Sequence, residues 1–217
     1  MSTELSNCPN CGTALKSGML SSVKLLSTNK IAVINEYHEM PSLGYCSKCG
    51  NELYNNYKTK VANEKQKAIE TIQSLISAIP VISIQSPINW DYQILDLVTG
   101  QSTTGTGVIS EFTSSFTDLF GTQSGIFNKK LKDGETMCYN QLRKQTIDMG
   151  GNAVIATDID YSEVGGAKGM LMVCMAGTAI KLKNTDILGE KRAESLKTIE
   201  EVNSRITHLS TLKLDEV

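Results

Sequence analysis

Apolar positions along this chain change their spacing several times, and each change marks an element. From Lys58 to Ile79, residues Val61, Ala68, Ile69, Ile72, Leu75, Ile76 and Ile79 recur at helical intervals, and Pro80 ends the run. A second amphipathic helix spans about Leu188 to Leu214, where Leu196, Ile199, Val202, Ile206, Leu209 and Leu212 form a narrow stripe between charges. Such a stripe can pack on its own body or zip against copies of itself. A third helix, from about Asn128 to Met149, carries Leu131, Cys138, Leu142 and Met149 on one stripe and closes on Gly150 and Gly151. Ser110 with Phe112, Phe116, Leu119 and Phe120 predicts a short capped helix that ends at Gly121. Strand-like runs occupy 81–84, 92–99, 153–161 and 170–183, with glycine-rich turns at 99–107 and 164–169. Near the start, Val23–Leu26 and Lys30–Ile34 read as two short strands joined by Ser27, Thr28 and Asn29. The pattern predicts an α+β chain in four parts: a small β module over 1–57, a linker helix over 58–80, an α+β body over 81–183, and a terminal amphipathic helix over 184–217.

Composition narrows the classes. The 217 residues carry 21 basic and 23 acidic side chains, a formal charge of −2, so no global excess points to nucleic acid or an anionic membrane. The N-terminus MSTELSNCPN has neither a basic start nor an apolar core, and the apolar-leaning stretch 69–84 is too short and too polar to span a bilayer. A cytoplasmic protein without membrane contact is expected. Thiols stay reduced there, so paired cysteines read first as metal ligands.

Four of the six cysteines are paired that way, in Cys8-Pro9-Asn10-Cys11-Gly12 and Cys46-Ser47-Lys48-Cys49-Gly50, with 34 residues between Cys11 and Cys46. Each knuckle turns two sulfurs toward one centre, with the following glycine, Gly12 or Gly50, expected in the strained position. Four thiolates complete a tetrahedron and leave no open position for water, so one structural Zn2+ per chain is expected, with mononuclear iron as the alternative. The two knuckles resemble the zinc-ribbon class, although 34 residues exceed its usual interval of ~15–20. A ribbon this small folds only with its metal. It can dock a protein partner or serve purely as structure. Nucleic-acid binding is a weaker alternative, because residues 1–79 hold 8 basic against 6 acidic side chains and Tyr37, Tyr45, Tyr54 and Tyr57 suit a small core as well as base stacking. His38 and His208 are expected to be solvated.

Within the body, GNAV (151–154), DIDY (158–161), MLMV (170–173) and AGTA (176–179) follow one another in order. With FTDLFGTQSGIFNKKLKDG before them, these motifs resemble the YbjQ-like family of heavy-metal-binding proteins over about residues 88–183. That resemblance implies a dodecin-like α+β subunit that assembles into homo-oligomeric rings, pentamers among them. It also directs attention to metal ligands in the body. Met170, Met172 and Cys174 project to one face of the last strand, a set suited to a soft ion, while strand methionines ordinarily fill cores. Cys138, on the third helix, would approach Cys174 if that helix packs on the sheet. Asp158, Asp160 and Glu163 form a hard-ligand set, with solvated strand-end carboxylates as the plainer account. The body has no histidine, no Walker lysine, no dinucleotide fingerprint and no GxSxG elbow. The expected function is therefore non-enzymatic: an oligomeric scaffold displaying zinc ribbons. Metal sensing or sequestration by the body and nucleic-acid binding by the ribbons are the alternatives.

Overall fold

Ser27 decides the first element. Its hydroxyl accepts a hydrogen bond from the Lys30 amide, and the chain that follows forms helix α1, Thr28–Asn35. The strand expected over Lys30–Ile34 is thus a helical turn: Ile31, Val33 and Ile34 supplied a β-like local signal, but an N-cap and burial of Val33 and Ile34 in a common core outweigh it. Of the other expected strand, Leu25 alone makes a β-bridge, to Cys46. Helix α2, Ser47–Leu75, starts eleven residues before the predicted Lys58 and continues as a 3-10 turn, Ile76–Ala78. The computed structural model describes residues 6–15, 23–104, 122–164 and 170–214. The predicted helix at 110–120, residues 105–107 of the first glycine-rich turn and residues 165–169 of the second lie outside that range.

By packing, the chain divides into two units, Met1–Thr71 with Ser204–Val217, and Ile72–Asn203. In the second unit, β1 (Tyr92–Thr104), helix α3 (Thr122–Asp148), β2 (Ala153–Val164) and β3 (Met170–Leu182) build an antiparallel sheet of order β1-β3-β2. Residues 81–84 form no full strand. Val81 bridges Val154 in parallel, and the amides of Ile82, Val154, Ala156 and Thr157 tie residues 80–84 to the edge of β2. Helix α3 covers one sheet face, where Val98, Cys138, Leu142, Val154, Val173, Met175 and Ala179 are buried together. Met149 leaves the predicted stripe and is 42% exposed. The expected glycine cap is present: Gly150 takes φ +78°, its amide bonds Ile147 O, and the Gly151 amide bonds Thr146 O.

Two bulges set which side chains face which way. Register slips by one residue between Ile94 and Asp96 on β1 and between Ile155 and Asp158 on β2, at neighbouring levels of β3. After the β2 bulge, Ile159 turns to the α3 side, and Asp158 and Asp160 turn to the opposite face beside Ala176 and Cys174. That opposite face is covered at one end by Ile82, Trp90 and Tyr92 over Ile155 and Ile180, while Ile94 and Leu97 stay about two-thirds exposed. At the β1 edge, the side-chain amides of Gln141 and Gln145 on α3 each both donate to and accept from the strand backbone, at Gln101 and Thr99 respectively. They occupy the edge groups that another strand would otherwise pair with.

Helix α4, Glu190–Thr211, buries Leu196 and Ile199 with Ile79 and Ile147 in the second unit. Leu209, near its end, is buried with Val33, Ile34, Tyr45, Tyr54 and Val61 in the first. The apolar stripe of the tail is thus used within the chain.

Asn152, in the GNAV run, is buried and clamps the end of β3: its amide nitrogen donates to Leu182 O at 2.9 Å, and its oxygen accepts from Leu182 N at 2.7 Å. Replacing it by alanine leaves both Leu182 groups without these partners. Asn152→Ala is expected to lower the stability of the second unit by ~1–3 kcal/mol, read as a reduced urea midpoint at unchanged m-value.

Candidate metal centre

Two short pieces of backbone bring the four sulfurs together. In the first, the amides of Cys8 and Gly12 bond Thr13 O and Cys8 O, and Asn7 bridges Ala14, closing a tight loop around Cys8 and Cys11. Gly12 takes φ +70°, as expected for a knuckle glycine. The second knuckle differs. Cys46 immediately precedes α2, Cys49 lies in its first turn, and Gly50 is helical; it is required for space instead, since a Cβ there would lie 2.5 Å from Leu26 Cδ1 and 2.8 Å from Tyr45 Cβ. Residues 24–26 run antiparallel to 45–47, through Leu26 N to Tyr45 O and Ser47 N to Lys24 O.

The resulting centre is compact. Cys8–Cys49, Cys11–Cys46 and Cys46–Cys49 sulfurs are each 3.7 Å apart, and all four lie within 4.8 Å of one another. A tetrahedral ion with metal–sulfur bonds of ~2.3 Å has sulfur–sulfur edges of ~3.8 Å, so the donor set fits a metal of that kind. Second contacts support negative sulfur: the Cys46 amide donates to Cys8 Sγ at 3.2 Å and the Asn10 side-chain amide to Cys49 Sγ at 3.5 Å. Burial is graded, with Cys8 and Cys46 buried, Cys49 intermediate and Cys11 exposed. Without a cation the thiols titrate far apart. The Thr13 hydroxyl, 3.2 Å from Cys11 Sγ, and the Thr13 amide draw the Cys11 pKa down to about 6, whereas burial pushes Cys49 up to about 12.

Sequence reading missed a second polar constellation in this unit. Arg205 on α4 donates to Glu36, at the C-cap of α1, and through Nε to Glu64 of α2 at 2.6 Å. Glu64 also accepts from the Tyr37 hydroxyl at 2.6 Å. His208 is not simply solvated, since its Nε2 lies 2.8 Å from Glu36, and His38 stacks on Tyr45. Burial opposes ionisation of Glu36, but hydrogen bonds from His208 and Arg205 prevail and hold its carboxyl below the usual range; the Arg205 hydrogen bond does the same for Glu64. No local motif announces this set, because Arg205 is 169 positions from Glu36 and 141 from Glu64.

The remaining candidates belong to the second unit. Asp160 is the register partner of Cys174, and Asp158 of Ala176, so the hard and soft candidate sets share the sheet face opposite α3. Both aspartates are exposed, and Cys174 and Met172 are half-buried. Glu163 and Met170 fall at the ends of β2 and β3, with side chains outside the described part of the structure. Cys138 packs on the α3 side, with Sγ 3.4 Å from Val173 O, and is near enough to Cys174 to feel its charge, although Cys174 lies on the opposite face of β3. Among the described residues, the four cysteines are the one group of three or more His, Cys, Asp or Glu side chains whose ligand atoms converge.

A helix-backed antiparallel sheet, with a four-cysteine metal centre in a separate unit, defines an α+β protein with an added zinc-ribbon-like module. Residues 87–183 match the family described as "Putative heavy-metal-binding". A UPF0145 protein from Anoxybacillus flavithermus (strain DSM 21510 / WK1) is 40% identical over 91 residues, which are 42% of this chain and 85% of that relative. The chain belongs to this YbjQ-like, UPF0145 family. A crystal structure of a protein of unknown function from Pediococcus pentosaceus ATCC 25745, of the DUF74 family, is 20% identical and aligns over 48% of this chain and 98% of its own, with a TM-score of 0.35. The four-cysteine centre lies outside the matched residues, and the candidate residues on the sheet lie inside them. Among the described residues, no helix is long and apolar enough to cross a membrane.

Because burial keeps the free Cys49 thiol protonated at neutral pH and a bound metal requires its thiolate, loading is expected to release a proton and to weaken as pH falls, with Cys11 adding to the loss as pH falls through about 6. Calorimetric metal titrations in buffers of different ionisation enthalpy measure the release directly.

Proposed function

We propose that Cys8, Cys11, Cys46 and Cys49 hold one structural Zn2+ per chain, and that the protein is a non-enzymatic scaffold. In this reading the family body associates into a homo-oligomeric ring, a pentamer by family resemblance, and presents the metal-folded modules as docking sites for a protein partner in the cytoplasm. The observation that carries the zinc assignment is the 3.7 Å spacing of the sulfurs in a set with no further ligand position. Zinc suits this role better than iron because it is redox-inert and tetrahedral without electronic preference. Repetition around a ring would raise the effective concentration of modules for a multivalent partner. The described part of the sheet face opposite α3, with Ile94 and Leu97 exposed, supplies apolar surface for self-association.

A second reading is favoured by one observation, the register pairing of Asp160 with Cys174 beside Met172 and Asp158. There the body itself takes up a soft or borderline ion, in keeping with the family's description.

Elemental analysis of the dialysed, reduced protein is expected to give one zinc per chain, reduced to none in Cys46→Ser/Cys49→Ser. Additional metal that disappears in Cys174→Ala/Asp160→Asn would favour the second reading. Light scattering is expected to return a multiple of the chain mass at micromolar concentration; a monomer removes the ring.

A further inference from the structure

We infer that metal occupancy of the four-cysteine centre and docking of the C-terminal segment 204–214 are coupled, so that the end of α4 is a latch set by the metal. The inference rests on the reading that the centre binds metal and goes beyond it, because it assigns the tail a part in metal retention.

The coupling follows from shared walls. Cys49 packs against the same apolar cluster that buries Leu209, and Leu26, which lies over Gly50, packs there too. Tyr45, directly before the ligand Cys46, is fully buried in that cluster with Val33 and Ile34 of α1 and Val61 of α2. Leu209 is fully buried against this set, and Leu212 and Leu214 pack beside it. The polar contacts repeat the arrangement: α1 contributes Glu36 and α2 contributes Glu64, and both close on Arg205. Because α2 begins at the second knuckle, displacing Cys46 and Cys49 displaces both Tyr45 and the first turn of α2.

Each end therefore depends on the other. Without a cation, four sulfurs this close lose the ion that holds them, and the knuckle that orients Tyr45 and Cys49 relaxes. The tail then loses part of the surface on which Leu209 sits. Conversely, removing the tail uncovers Val33, Ile34, Tyr54 and Val61 and leaves Glu36 and Glu64 without Arg205, which loosens the scaffold behind two ligands. Linkage requires the two effects to be equal in free energy.

Hydrogen–deuterium exchange on the full chain tests this, comparing zinc-loaded protein with protein stripped by a chelator under reducing conditions, with residues 174–182 of β3 as the internal reference. Stripping is expected to speed exchange in 204–214 by about tenfold or more while the β3 reference is unchanged. Equal protection of 204–214 in both states overturns the coupling. A protein that takes up no zinc would instead overturn the metal reading, so the two failures are distinguishable. In the reciprocal arm, Arg205→Gln/Leu209→Ala is expected to surrender zinc to a chromogenic chelator at about tenfold lower chelator concentration than the wild type. Wild-type retention in that variant overturns the inference, and the exchange measurement on unmodified protein does not depend on how the variant folds.

Discussion

Four cysteine sulfurs within 4.8 Å of one another confront the chain with an electrostatic problem. Four thiolates at that spacing repel one another strongly, and neutral thiols bond too weakly to justify the loss of chain entropy needed to gather two pairs separated by 35 positions, Cys11 to Cys46. A divalent cation held there would resolve both difficulties, cancelling the repulsion and supplying strong directional bonds. Other features of the N-terminal unit follow from that point. The second knuckle starts α2, α2 presents Tyr54, Val61 and Glu64, and residues 24–26 lie against 45–47. A module with one modest apolar cluster needs such a fixed point, because burial alone stabilises so small a body only marginally.

The second unit is built around an apolar core. One helix covers one face of a three-stranded sheet, and its glutamines occupy the backbone of the β1 edge. Much of the sequence pattern that marks the family has an architectural explanation here. Asn152 clamps the end of β3, Ala153 and Val154 are buried, and a Cβ on Gly177 would come within 2.6 Å of Val154. Tyr161 reaches Glu135 on α3. Asp158 and Asp160 are different, because they are exposed and no buried contact requires them.

Helical periodicity read correctly where the apolar stripe was long. Most of α3 and α4, the glycine cap at Gly150 and strands β1, β2 and β3 were legible from local spacing, whereas 81–84, which looked like a strand, forms only a bridge to β2. The four-cysteine cluster was legible for the same reason, the members of each CxxC pair being only three positions apart. Short β-branched runs were not. Lys30–Ile34 looked like a strand because Ile31, Val33 and Ile34 favour either structure when buried, and the choice was made by the Ser27 cap and by the core they enter.

What the sequence by itself determined, then, was the inventory: an α+β body, a four-cysteine donor set and two amphipathic helices, all specified by spacing. Tertiary structure alone decided how distant pieces complete one another. It placed Arg205 between Glu36 and Glu64, buried Leu209 beside Tyr45, and turned Gly50 from a presumed turn residue into a packing requirement. It also put Asp158 and Asp160 on the face with Cys174 through a single-residue bulge. A bulge inverts every side chain after it, and an ion pair between residues more than a hundred positions apart leaves no local trace; both exist only once the chain has closed on itself.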